Sequence, residues 1–132
     1  MSELTRIPAP EGVAPATAYT HVVLGTGRFV AISGQLALDE DGKLVGEGDP
    51  AAQARQVFEN LSRCLAAAGA TFDNVVKLTF FVTDMAYLPA IRAARAAHIP
   101  DDRLPAASAV QVAGLVRPEF LMEIEAFAVL GE

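Results

Sequence analysis

The stretch from Asp49 to Val82 constrains the fold more than any other, because it encodes a capped amphipathic helix followed directly by a strand. Asp49 reads as an N-cap, and Pro50 takes the first helical position, where a missing N–H costs nothing. Val57, Phe58, Leu61, Cys64, Leu65 and Ala68 then recur at helical spacing, and Gly69 stands where a left-handed C-cap belongs. Arg55, Glu59 and Arg63 fall on the opposite face as solvated charge. After Asp73-Asn74, the run Val75-Val-Lys-Leu-Thr-Phe-Phe-Val82 is rich in β-branched and aromatic residues. It reads as a strand with Val76, Leu78, Phe80 and Val82 on one face and Lys77 and Thr79 on the other. Cys64 lies on the apolar stripe and reads as core filler rather than as a nucleophile.

The remaining elements arrange themselves around this unit. Residues 1–18, rich in Pro, Ala and Thr, read as an extended and loosely tied arm, and residues 19–132 as one domain. Thr20 to Leu24 and Arg28 to Ser33 read as two short strands, joined through Gly25-Thr-Gly27 into a hairpin. Gln35 to Leu38 continues extended into an Asp-Gly turn at Asp39-Glu-Asp-Gly42. Asp84 and Pro89 open a second helix carrying Leu88, Ile91, Arg92 and Arg95, which ends before Pro100. Ala107 to Val112 and Leu121 to Leu130 are two further strands. Helices that return to a sheet through crossovers predict an α+β domain: a mixed β-sheet packed on two helices.

Charge and composition remove several function classes. The 132 residues carry a formal charge of −6, with ten scattered Lys and Arg of which no two are adjacent. A nucleic-acid partner needs a basic stripe to displace phosphate counterions, so none is expected, and neither is an anionic membrane surface. No apolar run approaches the length of a bilayer span. The N-terminus lacks the apolar core of a signal peptide, which makes the cytoplasm the expected location. A single cysteine excludes an internal disulfide and a cysteine-based metal cluster. His21 and His98 are far apart and read as structural or surface residues. The apolar fraction, 52%, is high enough for such a small chain to suggest that another subunit covers part of its surface.

One strand carries unusual chemistry. In Leu121-Met-Glu-Ile-Glu-Ala-Phe-Ala-Val-Leu130, alternation sets Met122, Ile124, Ala126, Ala128 and Leu130 on one face. Glu123 and Glu125 point the other way, beside Leu121, Phe127 and Val129. A carboxylate on a largely apolar strand face must be solvated, paired or used. The pattern admits either a sheet face open to water or an acid–base group in a pocket.

Several segments together resemble the Rid/YjgF (reactive-intermediate deaminase) family. They are Ser33-Gly34-Gln35, the Gln53-Ala-Arg-Gln-Val-Phe-Glu-Asn-Leu61 helix, the Asp73-Asn-Val-Val-Lys-Leu-Thr79 run with Asp84-Met85 after it, and Glu123-Ile-Glu-Ala126. The similarity runs from about Tyr19 to the C-terminus in the same order. It implies a fold similar to the single-domain bacterial chorismate mutases, assembled as a homotrimer with a small-molecule pocket at each subunit interface. It also implies hydrolysis of 2-imino acids or their enamine tautomers to 2-oxo acids and ammonia, with neither cofactor nor metal. Under that likeness Glu123 matches the glutamate that positions the attacking water. Tyr19 matches the pocket tyrosine, though Ala18 precedes it where the family commonly has Gly-Pro, and Ser33 and Gly34 match the pocket Ser-Gly. His21 stands where many members have glutamine.

The chain departs from the pattern at Pro105-Ala-Ala107-Ser108-Ala109. Ala107 stands where deaminating members have the arginine that pairs with the substrate carboxylate, and Ala109 where they usually have cysteine. Arg92 replaces a pocket asparagine. Removing an arginine from a desolvated charge pair typically costs about 2–5 kcal/mol, a roughly thirty- to several-thousand-fold loss of affinity. Hydrolysis of small 2-imino acids therefore needs another cation, for which Arg92 is the first candidate and Arg103 and Arg117 follow. Two functions are consistent with these residues: a hydrolase of an altered imine or enamine, with Tyr19, Ser33, Gly34, Arg92, Ala107 and Ala109 around the ligand, or a non-catalytic trimeric small-molecule-binding module.

Overall fold

The helix that dominates the sequence is α1, Pro50–Ala67, and both of its ends are built as the residues dictate. Asp49 caps it by accepting a hydrogen bond from the Ala52 N–H at 3.1 Å. Gly69 closes it with φ 79°, a conformation that glycine adopts without a side-chain clash. The computed structural model describes residues 4–131. Val57, Phe58, Leu61 and Leu65 are fully buried in the core, while Cys64 is half-buried at its margin. Glu59 and Arg63 pair across one turn of the exposed face at 3.0 Å.

Five strands precede the last one, which organises the sheet. They are β1 (Thr5–Ile7), β2 (Val22–Leu24), β3 (Arg28–Gln35), β4 (Val75–Val82) and β5 (Ala106–Gln111), followed by β6 (Met122–Leu130). A second helix, α2 (Leu88–Ala96), lies between β4 and β5. The main sheet has the order β3-β6-β4-β5, with β6 antiparallel to both neighbours and β4 parallel to β5. It is a mixed sheet, as the pattern predicts. Helix α1 packs on β6, β3 and α2, so both helices cover one face.

The expected β2–β3 hairpin does not form. Val22–Leu24 instead pairs antiparallel with Thr5–Ile7, which ties down part of the expected arm, while Arg28–Gln35 pairs with β6. The physical reason is length: β6 offers β3 a long partner, whereas β2 has three residues. Gly27, at φ 144°, lets the chain leave β2 against the Leu130 carbonyl, where any Cβ would overlap it. Of the arm, residues 1–3 lie outside the described residues.

Strand faces follow the predicted alternation with one slip. Met122, Ile124, Ala126 and Ala128 are fully buried under the helices, and Leu78, Phe80 and Val82 lie beside them. At the start of β4, however, Val75 is buried and Val76 is only half-buried. A register irregularity between Val75 and Lys77 inserts an extra residue and flips the face. The opposite face, carrying Phe29, Thr79, Glu123, Glu125 and Phe127, has no helix over it. Phe29 is 67% exposed there, its ring 5.6 Å from that of Phe127.

Gln53 is the residue in the core that the helical pattern does not anticipate. It is fully buried on α1 and joins two loops. Its Nε2 donates to the carbonyls of Gly46 (3.1 Å) and Glu119 (3.0 Å), and its Oε1 accepts from the Leu121 N–H at 3.0 Å. All of its polar atoms are thereby satisfied, and the start of β6 is fixed to α1.

Candidate functional site

Parallel pairing of β4 with β5 sets Ala107 opposite Leu78 and Ala109 opposite Phe80, both on the helix side of the sheet. Helix α2 crosses the same side. Between them lies a cavity of about 280 Å³. Tyr19, Arg92, Arg95, Ala107 and Ala109 all contribute to its wall, as do the buried Phe80 and Ile91. Four residues singled out in the sequence, Tyr19, Arg92, Ala107 and Ala109, are thus brought together.

The segment carrying Tyr19 is held by specific bonds. The Thr20 N–H donates to the Pro105 carbonyl at 3.0 Å, and the Thr20 hydroxyl donates to the Leu104 carbonyl. These bonds fix the segment against the start of β5. Ala18, one residue earlier, has φ 67° and is the sole non-glycine with positive φ among the described residues. His21 donates from Nε2 to the Ala14 carbonyl at 2.6 Å, and its ring meets Tyr19 edge-on at 5.1 Å. His21 therefore braces Tyr19, while His98 packs between Phe58 and Phe72, at 6.0 and 5.0 Å, as a structural residue.

Ser33, Gly34 and Glu123 lie elsewhere. A bulge between Ile32 and Gln35 interrupts the β3–β6 register at Ser33-Gly34. Glu123, opposite Phe81 on β4, is half-buried on the helix-free face and folds over Gly34. A Cβ built on Gly34 would overlap Glu123 Oε2 and lie 2.6 Å from its Cγ and Cδ. Gly34 and Glu123 thus form one contact unit, with Ser33 exposed beside it. A groove of about 620 Å³, lined by Gly34, Gln35, Gln56, Asn60 and Cys64 among others, runs alongside. Within one chain the sheet separates Glu123 from Ala107.

The arginines expected to follow Arg92 are committed to other partners. Arg103 pairs with Asp73 at 2.9 Å and approaches Asp102 at 3.8 Å. Arg117 pairs with Glu119 at 3.0 Å and sits 4.5 Å over the Phe120 ring. Neither reaches the cavity wall. Arg92, exposed, does. Arg95, which the helical pattern sets on α2 without a role in the site, is buried to 7% exposure and shares the wall. Its signal was present: with Leu88 and Ile91 it completes an i, i+3, i+7 stripe, so a charge occupies a core-facing position. Burial holds its guanidinium below the ordinary arginine range. The charge of Asp101 opposes that shift, and that of Arg92 adds to it.

Among the described residues no cluster of three or more His, Cys, Asp or Glu could hold a metal ion, and no helix is long and apolar enough to cross a membrane. The cavity can hold a small organic molecule, with guanidinium groups for an anion and a tyrosine for a polar contact.

Comparison with known proteins identifies the family. A family model described as endoribonuclease L-PSP matches residues 10–130. The 3-aminoacrylate deaminase RutC of Acinetobacter baylyi is 40% identical over 119 residues, covering 90% of this chain and 93% of its own. A Rid-family protein of Yersinia pestis, YyfB, superposes with a TM-score of 0.83 at 39% identity, over 95% of this chain and 98% of its own. RidA from an Antarctic Psychrobacter gives 0.71 at 36% identity, over 93% and 94% of the two chains. With matches of this extent in sequence and in fold, the chain belongs to the endoribonuclease L-PSP family, known also as Rid/YjgF.

Proposed function

We propose that this protein hydrolyses an imine or enamine of a small metabolite, and that its site is completed by a second copy of the chain. The observation that carries this reading is the division of the matching residues between two sides of one sheet. Tyr19, Ala107 and Ala109 open onto the cavity, while Gly34 and Glu123 sit on the helix-free face. Side chains cannot meet through a sheet, so the glutamate must come from a neighbouring subunit. The exposed Phe29 and Val110 support burial of that face in an assembly. A homotrimer, as the family likeness implies, would place one wall against the other at each interface.

The chemistry needs few groups. An enamine takes a proton at its β-carbon, or an imine at its nitrogen, to become the iminium ion. Water then adds to the iminium carbon, giving up a proton to the Glu123 carboxylate, and the C=N π bond becomes a C–N single bond in a carbinolamine. Glu123 returns that proton to the carbinolamine nitrogen, and as the hydroxyl gives up its proton to water the C=O bond forms, the C–N bond breaks and ammonia leaves. A carboxylate held within hydrogen-bond reach of the water contributes roughly 10²–10⁴-fold as general base. Tyr19 and Ser33 position the ligand. The two alanine methyls on β5 leave space that small 2-imino acids do not fill, so the preferred substrate is larger than these.

The test generates imines in situ with an amino-acid oxidase, over several side chains, and traps them with semicarbazide. Suppression of trapping by the protein, lost in Glu123→Ala, supports the reading. Ala107→Arg is expected to raise activity on the smallest 2-imino acids severalfold. A protein that suppresses no trapping yet is thermally stabilised by 2-oxo acids would instead be a non-catalytic binding module, the reading favoured by the loss of the strand arginine.

A further inference from the structure

The cavity has kept a cation, but from a different element. Arg95 is 7% exposed, and its Nη1 donates to the Ala18 carbonyl at 2.9 Å. Its Nε is buried without any hydrogen-bond partner. Among the described residues no carboxylate lies within ion-pair distance of it. A buried guanidinium served by one neutral acceptor is an expensive arrangement, and it persists where the missing anion is supplied from outside. Asp101 acts on it only at longer range, and Arg92, three residues earlier on α2, brings a second positive charge to the same wall.

We propose that Arg95 is the anion anchor of this cavity: its guanidinium receives the carboxylate of the ligand, taking on from helix α2 the task for which strand β5 offers only Ala107. The inference rests on the functional reading above and names its substrate class. A guanidinium presents its N–H groups in a planar fork that suits a carboxylate, and in Arg95 only Nη1 is engaged by the protein among the described residues. The methyls of Ala107 and Ala109 lie across the same cavity, so the space they leave is available to a side chain. A volume of about 280 Å³ is near the lower edge of the range of small-molecule sites, about 300–1,000 Å³. The ligand is therefore a compact monocarboxylate with a branched or aromatic side chain. Arg92, exposed at the wall, guides the anion inward and is secondary.

The test is independent of turnover because its probes are not substrates. Titration calorimetry on the full chain compares benzoate with benzamide, a neutral molecule of nearly the same shape. Benzoate is expected to bind at least about tenfold more tightly, with Arg95→Met abolishing the difference and Arg92→Met reducing benzoate affinity by about threefold or less. Arg95→Met also removes the bond to Ala18, so a second pair keeps Arg95 in place. Ala107→Asp, which supplies an internal carboxylate, should suppress benzoate binding at least about tenfold more than Ala107→Asn does. Equal binding of benzoate and benzamide, absence of benzoate binding, retained discrimination in Arg95→Met, or equal effects of Asp and Asn at position 107 would each overturn the proposal. Imine hydrolysis that survives Arg95→Met unchanged sinks the anchor alone. Benzoate discrimination without any hydrolysis sinks the catalytic reading and leaves the anchor standing.

Discussion

The carboxylate of Glu123 occupies the space above Gly34 that a side chain would otherwise fill, with Glu123 Cγ and Cδ 2.6 Å from the position of a Cβ there. Gly34 has no unusual φ, so its value lies in this vacancy and not in backbone freedom. Gly34→Ala should fold, because a glutamate side chain can rotate away, and its stability should stay within about 1 kcal/mol of the parent. In the proposed role the displaced carboxylate would no longer position the attacking water, and misplacement by about 1 Å can cost 10²-fold. Activity is expected to fall at least about tenfold, with the melting temperature moving by no more than about 5 °C. Parallel unfolding curves and trapping assays check both halves of the statement.

Ala18 is expected to respond to substitution in the reverse of the usual sense. An L-residue in the left-handed region carries about 1–2 kcal/mol of strain, and glycine relieves it while losing about 0.5–1 kcal/mol through its freer unfolded chain. Ala18→Gly should therefore be neutral to about 1 kcal/mol more stable. Ala18→Val, with branching at Cβ, should be less stable and should weaken ligand binding by shifting Tyr19. Denaturant midpoints of the two variants against the parent decide the matter.

Gln53 is the buried polar group on which the start of β6 depends. Gln53→Leu leaves the Leu121 N–H and the carbonyls of Gly46 and Glu119 without their partner. The expected loss is about 3 kcal/mol, the upper part of the range for stranding a buried donor. Leu121 lies two residues before Glu123, so trapping activity should fall as well. Gln53→Glu should be no better, because it sets a carboxylate oxygen against two carbonyl oxygens. Thermal melts of both variants provide the check.

How much of this was legible in the sequence depended on whether a residue's type agreed with its place. Helix α1 was readable end to end because Asp49, Pro50, Gly69 and the stripe from Val57 to Leu65 all point the same way. The faces of β6 followed from strict alternation. Two buried polar residues, Gln53 and Arg95, stand in helical stripes where apolar side chains are looked for, and pattern alone passes over them. Strands β1 and β2, three residues each, are too short to show a period, so their pairing was not readable. The extra residue at Val75–Lys77 shifts a face by a local break in hydrogen bonding that composition does not record. Ala107 and Glu123 each had a readable face within its own strand. That these faces are opposite follows only once β5 and β6 are both placed beside β4.

With the site shared between two copies as proposed, the wall between Glu123 and Ala107 has a genetic consequence. Damage on one side leaves the other side of the same polypeptide intact. Two inactive variants, Glu123→Ala and a variant blocked on the Ala107 side, should rescue each other when refolded together. At equal amounts of the two, about one site in four would draw both of its halves from undamaged surfaces.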